Sequence, residues 1–391
     1  MKTHLLKSHL RKIYNASTVQ TLVSVITSGI SAILASNAAA YDNSRPPPFD
    51  METRGRGYQS ISLHPNKEAL LISECSSKLT SYKSCFLLLY DLKSGQKKRF
   101  MLPSGYRYTY GKFSPSGKYI LMVRNPDLVN GSEEKIQKNL QRGEIAVMDS
   151  DGNNFRVLTI PAGRLFAPAM SISEGKIAYW AAATPRAPDR QTALTHFDIR
   201  EFDLEKGTDS LFAGPFYFYS GTSIQYLSES ELLVHASIPN ANSLESWNKL
   251  SKFNRSEIYK ISRGMSKAPE PEFQDLPNST YPAADRENTI FFMSQPHSIG
   301  VSLTRKKADG FTTLWRYPSL NYTYQSALTA AGSGRYIGVI YGGSPLKTEE
   351  GDRAICIFDM REERWIPLSP PPIDQAVLTS ISLAAHKPIT D

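Results

Sequence analysis

Cysteine is scarce in this chain: three among 391 residues, Cys75, Cys85 and Cys356. None stands in the paired C-x-x-C spacing of a zinc ribbon or a dithiol redox site. The G-x-x-x-x-G-K-[ST] and G-x-G-x-x-G loops that cradle nucleotide phosphates are missing, as is the H-E-x-x-H of zinc proteases. No G-x-S-x-G stands in a nucleophile-elbow setting. Strong charge of one sign is lacking too: 45 Lys and Arg face 37 Asp and Glu, net +8. The basic runs, KKR at 97–99 and RKK at 305–307, are short and far apart. They read as solvated surface, and nucleic-acid binding, which wants a dense basic patch, is not expected.

Only one apolar stretch approaches membrane length, and it lies in the first forty residues. Lys2, Lys7, Arg11 and Lys12 form a basic leader, and no acid precedes Asp42. TVQTLVSVITSGISAILA follows, then SNAAAYD, where Ala38-x-Ala40 suits a signal-peptidase cut. A transmembrane anchor is the rival reading, but Thr, Gln, Ser and Gly make the run marginal for spanning a bilayer. The preferred division is a signal peptide at 1–40, a linker at 41–56 and a single folded domain at 57–391. The product is then periplasmic or secreted, with no stable membrane anchor after cleavage. Loss of the leader leaves 41 basic and 37 acidic residues, net +4.

The cysteines fit an oxidising compartment. Cys75 ends the strand-like ALLISEC and Cys85 opens the strand-like CFLLLYDL. Paired as a hairpin, these strands bring the two thiols face to face, and a Cys75–Cys85 disulfide is expected, with two independent thiols as the alternative. Cys356, in AICIFDM, reads as packed core.

What the sequence does have is a repeat. FSPSGKYILMV, from Phe113, puts a tight turn before an apolar strand. Weaker relatives begin at Ser60 (SISLHPNKEALLIS), Ala169 (AMSISEGKIAYWA), Ser223 (SIQYLSESELLVHAS), Tyr281 (YPAADRENTIFFMS) and Ser326 (SALTAAGSGRYIGVIY). Turn residues followed by β-branched and aromatic residues are a hairpin signature. A third strand follows each hairpin and ends in a turn such as DLKSG, DSDG, DLEKG or KADG, after which a fourth begins. The hairpin turns centre near 66, 116, 174, 229, 286 and 333, a spacing of 47 to 58 residues. Four strands at this period are the mark of propeller blades. The fold class is therefore all-β: a single β-propeller of four antiparallel strands per blade, with six blades preferred and seven open. AVLTSISLAAH near the C-terminus repeats the Ser60–Leu63 tetrapeptide and reads as one more inner strand, completing the first blade or starting a seventh.

FSPSGKYILMV followed by GEIAVMDSDGNNFRVLT resembles the repeat of TolB-type, WD40-like propellers. That pattern is a strand, SPDG, an apolar strand, I-x-V-x-D, a glycine turn and a terminal L-T. Ser116 stands where the family has Asp, and the other units match more loosely. The resemblance spans residues 57–384. It implies a propeller and a habit of binding, but not one activity. The α/β domain that precedes the propeller in TolB has no counterpart in the short segment before residue 57, which separates this chain from a literal TolB role.

In a propeller the loops joining second and third strands emerge on one face. Here they fall at about 76–84, 125–142, 182–195, 238–256, 295–300 and 342–353. Loops on a rigid scaffold carry binding residues. Arg186 and Arg190 in one, and Trp247, Lys249, Phe253 and Arg255 in another, form a basic-aromatic set suited to a protein or an envelope polymer. The alternative is that the loops only cover the sheet ends. Asp149, Asp203 and Asp359 at third-strand ends are expected to bond their own turns. No catalytic residue, metal ligand or cofactor is assigned, and the product is expected to be a monomer. Two functional classes stay open. The preferred one is a non-catalytic exported binding scaffold. The other is a propeller lyase or hydrolase with a channel-mouth site, for which His64, His196, His235, His297 and His386 are the candidate histidines.

Overall fold

The computed structural model describes residues 57–366, apart from 76–84, 127–141, 159, 161–163, 183–196, 217–219, 238–255, 268–269, 274–275, 277–278, 295–300, 318–323 and 343–352. Six antiparallel sheets follow one another, their strands paired in sequence order. The first blade holds β1 (Gly57–Leu63), β2 (Ala69–Cys75), β3 (Cys85–Asp91) and β4 (Lys97–Arg99). The second holds β5 (Tyr106–Phe113), β6 (Tyr119–Pro126), β7 (Glu144–Asp149) and β8 (Arg156–Val157). The third holds β9 (Arg164–Met170), β10 (Lys176–Ala182), β11 (Phe197–Asp203) and β12 (Thr208–Phe216). In the fourth, β13 (Ser220–Ser228), β14 (Glu231–Ser237) and β15 (Ser256–Ser262) are described. The fifth holds β16 (Thr280–Ala284), β17 (Ile290–Ser294), β18 (Val301–Lys307) and β19 (Gly310–Tyr317). The sixth holds β20 (Tyr324–Ala330), β21 (Tyr336–Gly342), β22 (Arg353–Asp359) and β23 (Arg364–Ile366). The first strand of each sheet touches the first strand of the next, and β20 touches β1. The chain is a six-bladed β-propeller, and no helix occurs among the described residues.

Blade four departs from the expected four-strand unit for a local reason. Beyond β15 the chain reads KAPEPEFQDLP, and Pro271 has no N–H to give to a ladder. Glu272 N–H still donates to Ile258 O at 2.8 Å, and Phe273 is buried and stacked on Phe292. The outer edge is thus held by one ladder-like bond and an aromatic anchor.

The second strands explain why the repeat is so apolar. Ile120, Leu121, Met122 and Val123 of β6 are all fully buried, although side chains alternate between faces. Ile120 and Met122 join Leu71, Leu87 and Phe100 of blade one, together with Tyr108, Phe113, Ala146 and Met148. Leu121, with Ile145 and Val147, joins Leu165, Ile177, Tyr179 and Phe202 of blade three. Each blade is covered on both faces, so its central strand is a continuous apolar run and not an alternating one. The seam between blades six and one is built the same way, from Ile61, Leu63, Leu70 and Ile72 against Ile340, Ile355 and Ile357. Polar contacts reinforce it. Glu68 Oε1 accepts from Tyr336 Oη at 2.9 Å and from Arg335 at 3.1 Å, and Leu63 N–H donates to Thr329 Oγ1 at 3.1 Å. Blade one has its own inner strand, β1, and blade six its own outer strand, β23. Among the described residues the ring closes by side-chain packing, with no shared sheet. The C-terminal segment AVLTSISLAAH lies outside the described residues.

The inner hairpin turns fall at residues 64–68, 114–118, 171–175, 229–230, 285–289 and 331–335, where the sequence places them. In four of them the side chain of the first residue supplies an acceptor to the turn. Ser114 Oγ takes Tyr119 N–H at 3.1 Å, Ser171 Oγ takes Lys176 N–H at 3.2 Å, and Asp285 Oδ1 takes the N–H groups of Glu287 and Thr289 at 2.9 Å each. In blade one His64 does this through Nδ1, which accepts from Asn66 and Lys67 at 3.0 and 3.1 Å. Gly117 has φ +79, the left-handed value that the fourth residue of the turn needs, and a Cβ there would meet His64 Cε1 at 2.4 Å. Asp91, Asp203 and Asp359 accept N–H groups from their own third-strand turns, and Asp149 binds Asn154 in its turn.

The register sets Cys75 opposite Cys85 across β2 and β3. Cys85 is disulfide-bonded and Cys356 is a buried free thiol. Alkylation should therefore mark one cysteine in the denatured, unreduced chain and three after reduction; three without reductant would exclude the bridge. At the closing seam, Ile340→Ala should cost about 2–5 kcal/mol in urea unfolding. A loss near zero would mean that blades six and one are not packed in solution.

Candidate functional site

The chain connectivity gives the ring two unlike ends. Inner hairpin turns lie at one end. The second strands end, and the third strands begin, at the other. Arg186 and Arg190 fall within 183–196, and Trp247, Lys249, Phe253 and Arg255 within 238–255, so all six candidates lie outside the described residues. The strands that bracket them are described: β10 and β11 in blade three, β14 and β15 in the adjacent blade four. His196, His297 and His386 also fall outside. His64 caps its turn, and His235 is buried in β14 with its ring 4.7 Å from that of Tyr281; burial pushes its pKa down to about 3. Among the described residues no three metal-ligating side chains gather.

A cavity lies among the six inner strands, and its lining extends to the short turns through Pro65, Ser114, Ile172, Asp285 and Gly332. It measures about 700 Å³ and is lined by all six inner strands. Its wall has a repeated irregularity. Each inner strand is bulged against its second strand, next to Tyr58, Thr109, Ala167, Gly221, Thr280 and Gln325, and β13 carries a second irregularity next to Tyr226. In three of them a non-glycine residue takes positive φ: Tyr110 at 55°, Ala167 at 49° and Tyr281 at 50°. Such residues cost about 1–2 kcal/mol each. The next residue in each case manages the amide turned out of the ladder. Gly111 gives its N–H to Ser73 Oγ at 2.9 Å, while Pro168 and Pro282 have none to place. Bulges re-aim side chains, and here they do so around a cavity.

Polar groups on the inner strands mostly stitch neighbouring blades. Thr329 Oγ1 accepts from Leu63 N–H, Ser62 Oγ from Phe113 N–H at 3.0 Å, and Gln225 Oε1 from Ala284 N–H at 2.9 Å. Each runs from one blade to the residue just before the next blade's turn. Lys112 is different. Two residues before the turn the other five inner strands carry Ser62, Ala169, Leu227, Ala283 and Thr329, all uncharged; blade two carries a cation. Its ammonium crosses in front of β9 and donates to Ile224 O in blade four at 2.7 Å. Apart from the surface that lines the cavity, protein encloses it, and desolvation pushes its pKa down to about 8. No carboxylate pairs with it among the described residues. At the mouth, Arg286 of blade five reaches across to Asn66 Oδ1 of blade one at 2.6 Å, and Asn66 Nδ2 donates to Ser116 O at 2.8 Å. Lys112 was not foreseeable from a motif. Its signal, a lysine where the equivalent strands hold small or neutral residues, exists only once the inner strands are aligned.

No family model matches the chain, and no curated protein matches it. Solved structures do. The chain is similar to TolB from Acinetobacter baumannii, with a TM-score of 0.50 and 15% identity over 82% of this chain and 64% of that one. It is similar to an acylaminoacyl peptidase from Pyrococcus horikoshii, with a TM-score of 0.51 and 10% identity over 85% and 55% of the two chains. The chain thus spans less than two thirds of either. These likenesses concern the fold: a six-bladed propeller with TolB among its structural neighbours. They do not choose between a binding protein and an enzyme.

The Lys112 environment has a thermodynamic consequence. Its pKa is lower in the folded chain, so the unfolded chain holds more protons between pH 8 and 10.5. The burial penalty is full below pH 8 and fades as pH rises toward 10.5. Lys112→Met should therefore raise stability at pH 7, by up to about 3 kcal/mol. That advantage should shrink toward pH 10 in paired urea titrations. An equal difference at both values would contradict a desolvated ammonium.

Proposed function

We propose that the chain is an exported β-propeller binding scaffold that presents its long loops, on one face, to a protein or an envelope polymer. The observation that carries this reading is the strand connectivity. It anchors the 183–196 and 238–255 connections side by side, in blades three and four, at the end of the ring away from the short turns. A rigid ring with uneven loops at one end suits recognition, because the scaffold absorbs no ordering cost when the partner docks. Arg186, Arg190, Lys249 and Arg255 supply charge-assisted donors, and Trp247 and Phe253 supply area to bury. Export rests on the basic, acid-free leader and the Ala38-x-Ala40 cut.

The test compares capture from cell-envelope extracts by the wild-type chain, by a Trp247→Ala/Arg255→Ala variant and by a chain with 238–256 shortened. Loss of the captured species by at least tenfold in both variants, with unchanged melting, is the expected result. Equal capture by all three would remove the loop face from the function.

A further inference from the structure

The lining of the axial cavity includes the short inner turns and none of the loop candidates, so its chemistry stands apart from the loop reading. The inner strands show what a structural polar residue looks like here: Thr329, Ser62 and Gln225 each accept an N–H from the next blade. Lys112 cannot do this, since an ammonium has donors and no lone pair. It is placed at the equivalent level, yet it bypasses the neighbouring blade and reaches across the cavity to Ile224 O. One of its three N–H groups is used there. A charge left in such a place without a counter-charge destabilises the fold, and no structural contact among the described residues offsets that cost.

The surroundings define what would offset it. Ala167, Pro168 and Ala169 of β9 are small or compact and leave the space beside the ammonium open, while Phe113, Met170 and Ile224 make the wall apolar. Ile172 at the mouth is an exposed large hydrophobic residue on the same lining. Asp285, the carboxylate at the mouth, is spent on the N–H groups of Glu287 and Thr289. Arg286 is held by Asn66. Below the mouth, where Arg286 stands, the lining therefore offers the Lys112 ammonium with two N–H donors on an apolar wall, in a volume that suits a small molecule. A doubly charged phosphate would need more donors than this, whereas a single carboxylate is matched.

We infer that the axial cavity binds a monocarboxylate carried on an apolar body, with Lys112 as its counter-ion and the inner strands of blades two to four as the wall against which the body packs. The ligand enters between the short inner turns.

Two probes that differ only in the carboxylate test this: dansylglycine and dansylglycinamide, titrated by fluorescence against the purified full chain at pH 7. The acid should bind about tenfold or more tightly than the amide, the scale of a charge-assisted bond. Lys112→Met should bring the two affinities together while leaving the chain folded, and Lys112→Arg should keep the preference for the acid. Dansylglycine should also slow trinitrobenzenesulfonate labelling of Lys112, read by peptide mapping. Equal affinities in the wild type, a preference unchanged in Lys112→Met, no saturation by either probe below about 1 mM, or labelling unaffected by the acid would each overturn the inference.

Discussion

Each sheet in this protein has two apolar faces, and only another sheet of the same kind covers them. Ile120 and Met122 face blade one while Leu121 faces blade three, and all are fully buried. A fully buried aliphatic side chain contributes about 1.5–3 kcal/mol. A blade with a bare face would forfeit several of these at once. The chain therefore continues until the last blade meets the first, and the sixth-to-first seam is as aliphatic as the internal ones. Ring closure, the shared axis and the cavity on it are consequences of that face-to-face burial.

Closure brings six inner strands together, and among the described residues their backbone polar groups are managed without a seventh element in the middle. Three devices do this. Bulges break the inner ladders, where Gly111 N–H finds Ser73 and two prolines dispense with the donor. Side-chain acceptors from one blade take an N–H from the next. Turn residues also bridge blades: Ser116 N–H donates to Glu174 and Ser173 N–H to Glu229, each at 2.8 Å. Against that regular background a lone ammonium on the axis stands out, because it satisfies no neighbour's amide and carries a charge that burial opposes. The seams away from the axis treat charge differently. Burial pushes the Glu201 carboxyl up, but the Arg263 fork, the Tyr226 hydroxyl and Lys176 outweigh it and hold its pKa below the ordinary range.

Much of the fold was legible because its unit is short and local. Turn residues at 114–118 and their relatives, followed by continuous apolar runs, needed no tertiary information to be read as hairpins. Blade four was less legible: prolines after residue 267 removed the donors of an outer strand, and Phe273 holds that edge by packing, which no strand pattern reports. The site divided differently. Loop candidates such as Trp247 and Arg255 are legible by composition and by their place between second and third strands, and the described strands supply only their anchor points. Lys112 is not legible, because it sits inside YRYTYGKF, a stretch that reads as an ordinary inner strand.

The amino-acid order by itself determined the repeat, its period, the turn positions and the burial of the second strands, since these follow from neighbours within about fifty residues. It also determined that Cys75 and Cys85 flank one hairpin. Only the tertiary structure decided that the described units number six, that among the described residues the first and last pack without sharing a sheet, and that Lys112 faces an axial cavity. Those outcomes depend on distances between residues up to 268 positions apart, such as Glu68 and Tyr336. Such distances are set by the angle each packed seam adds to the ring, a quantity that no local pattern contains.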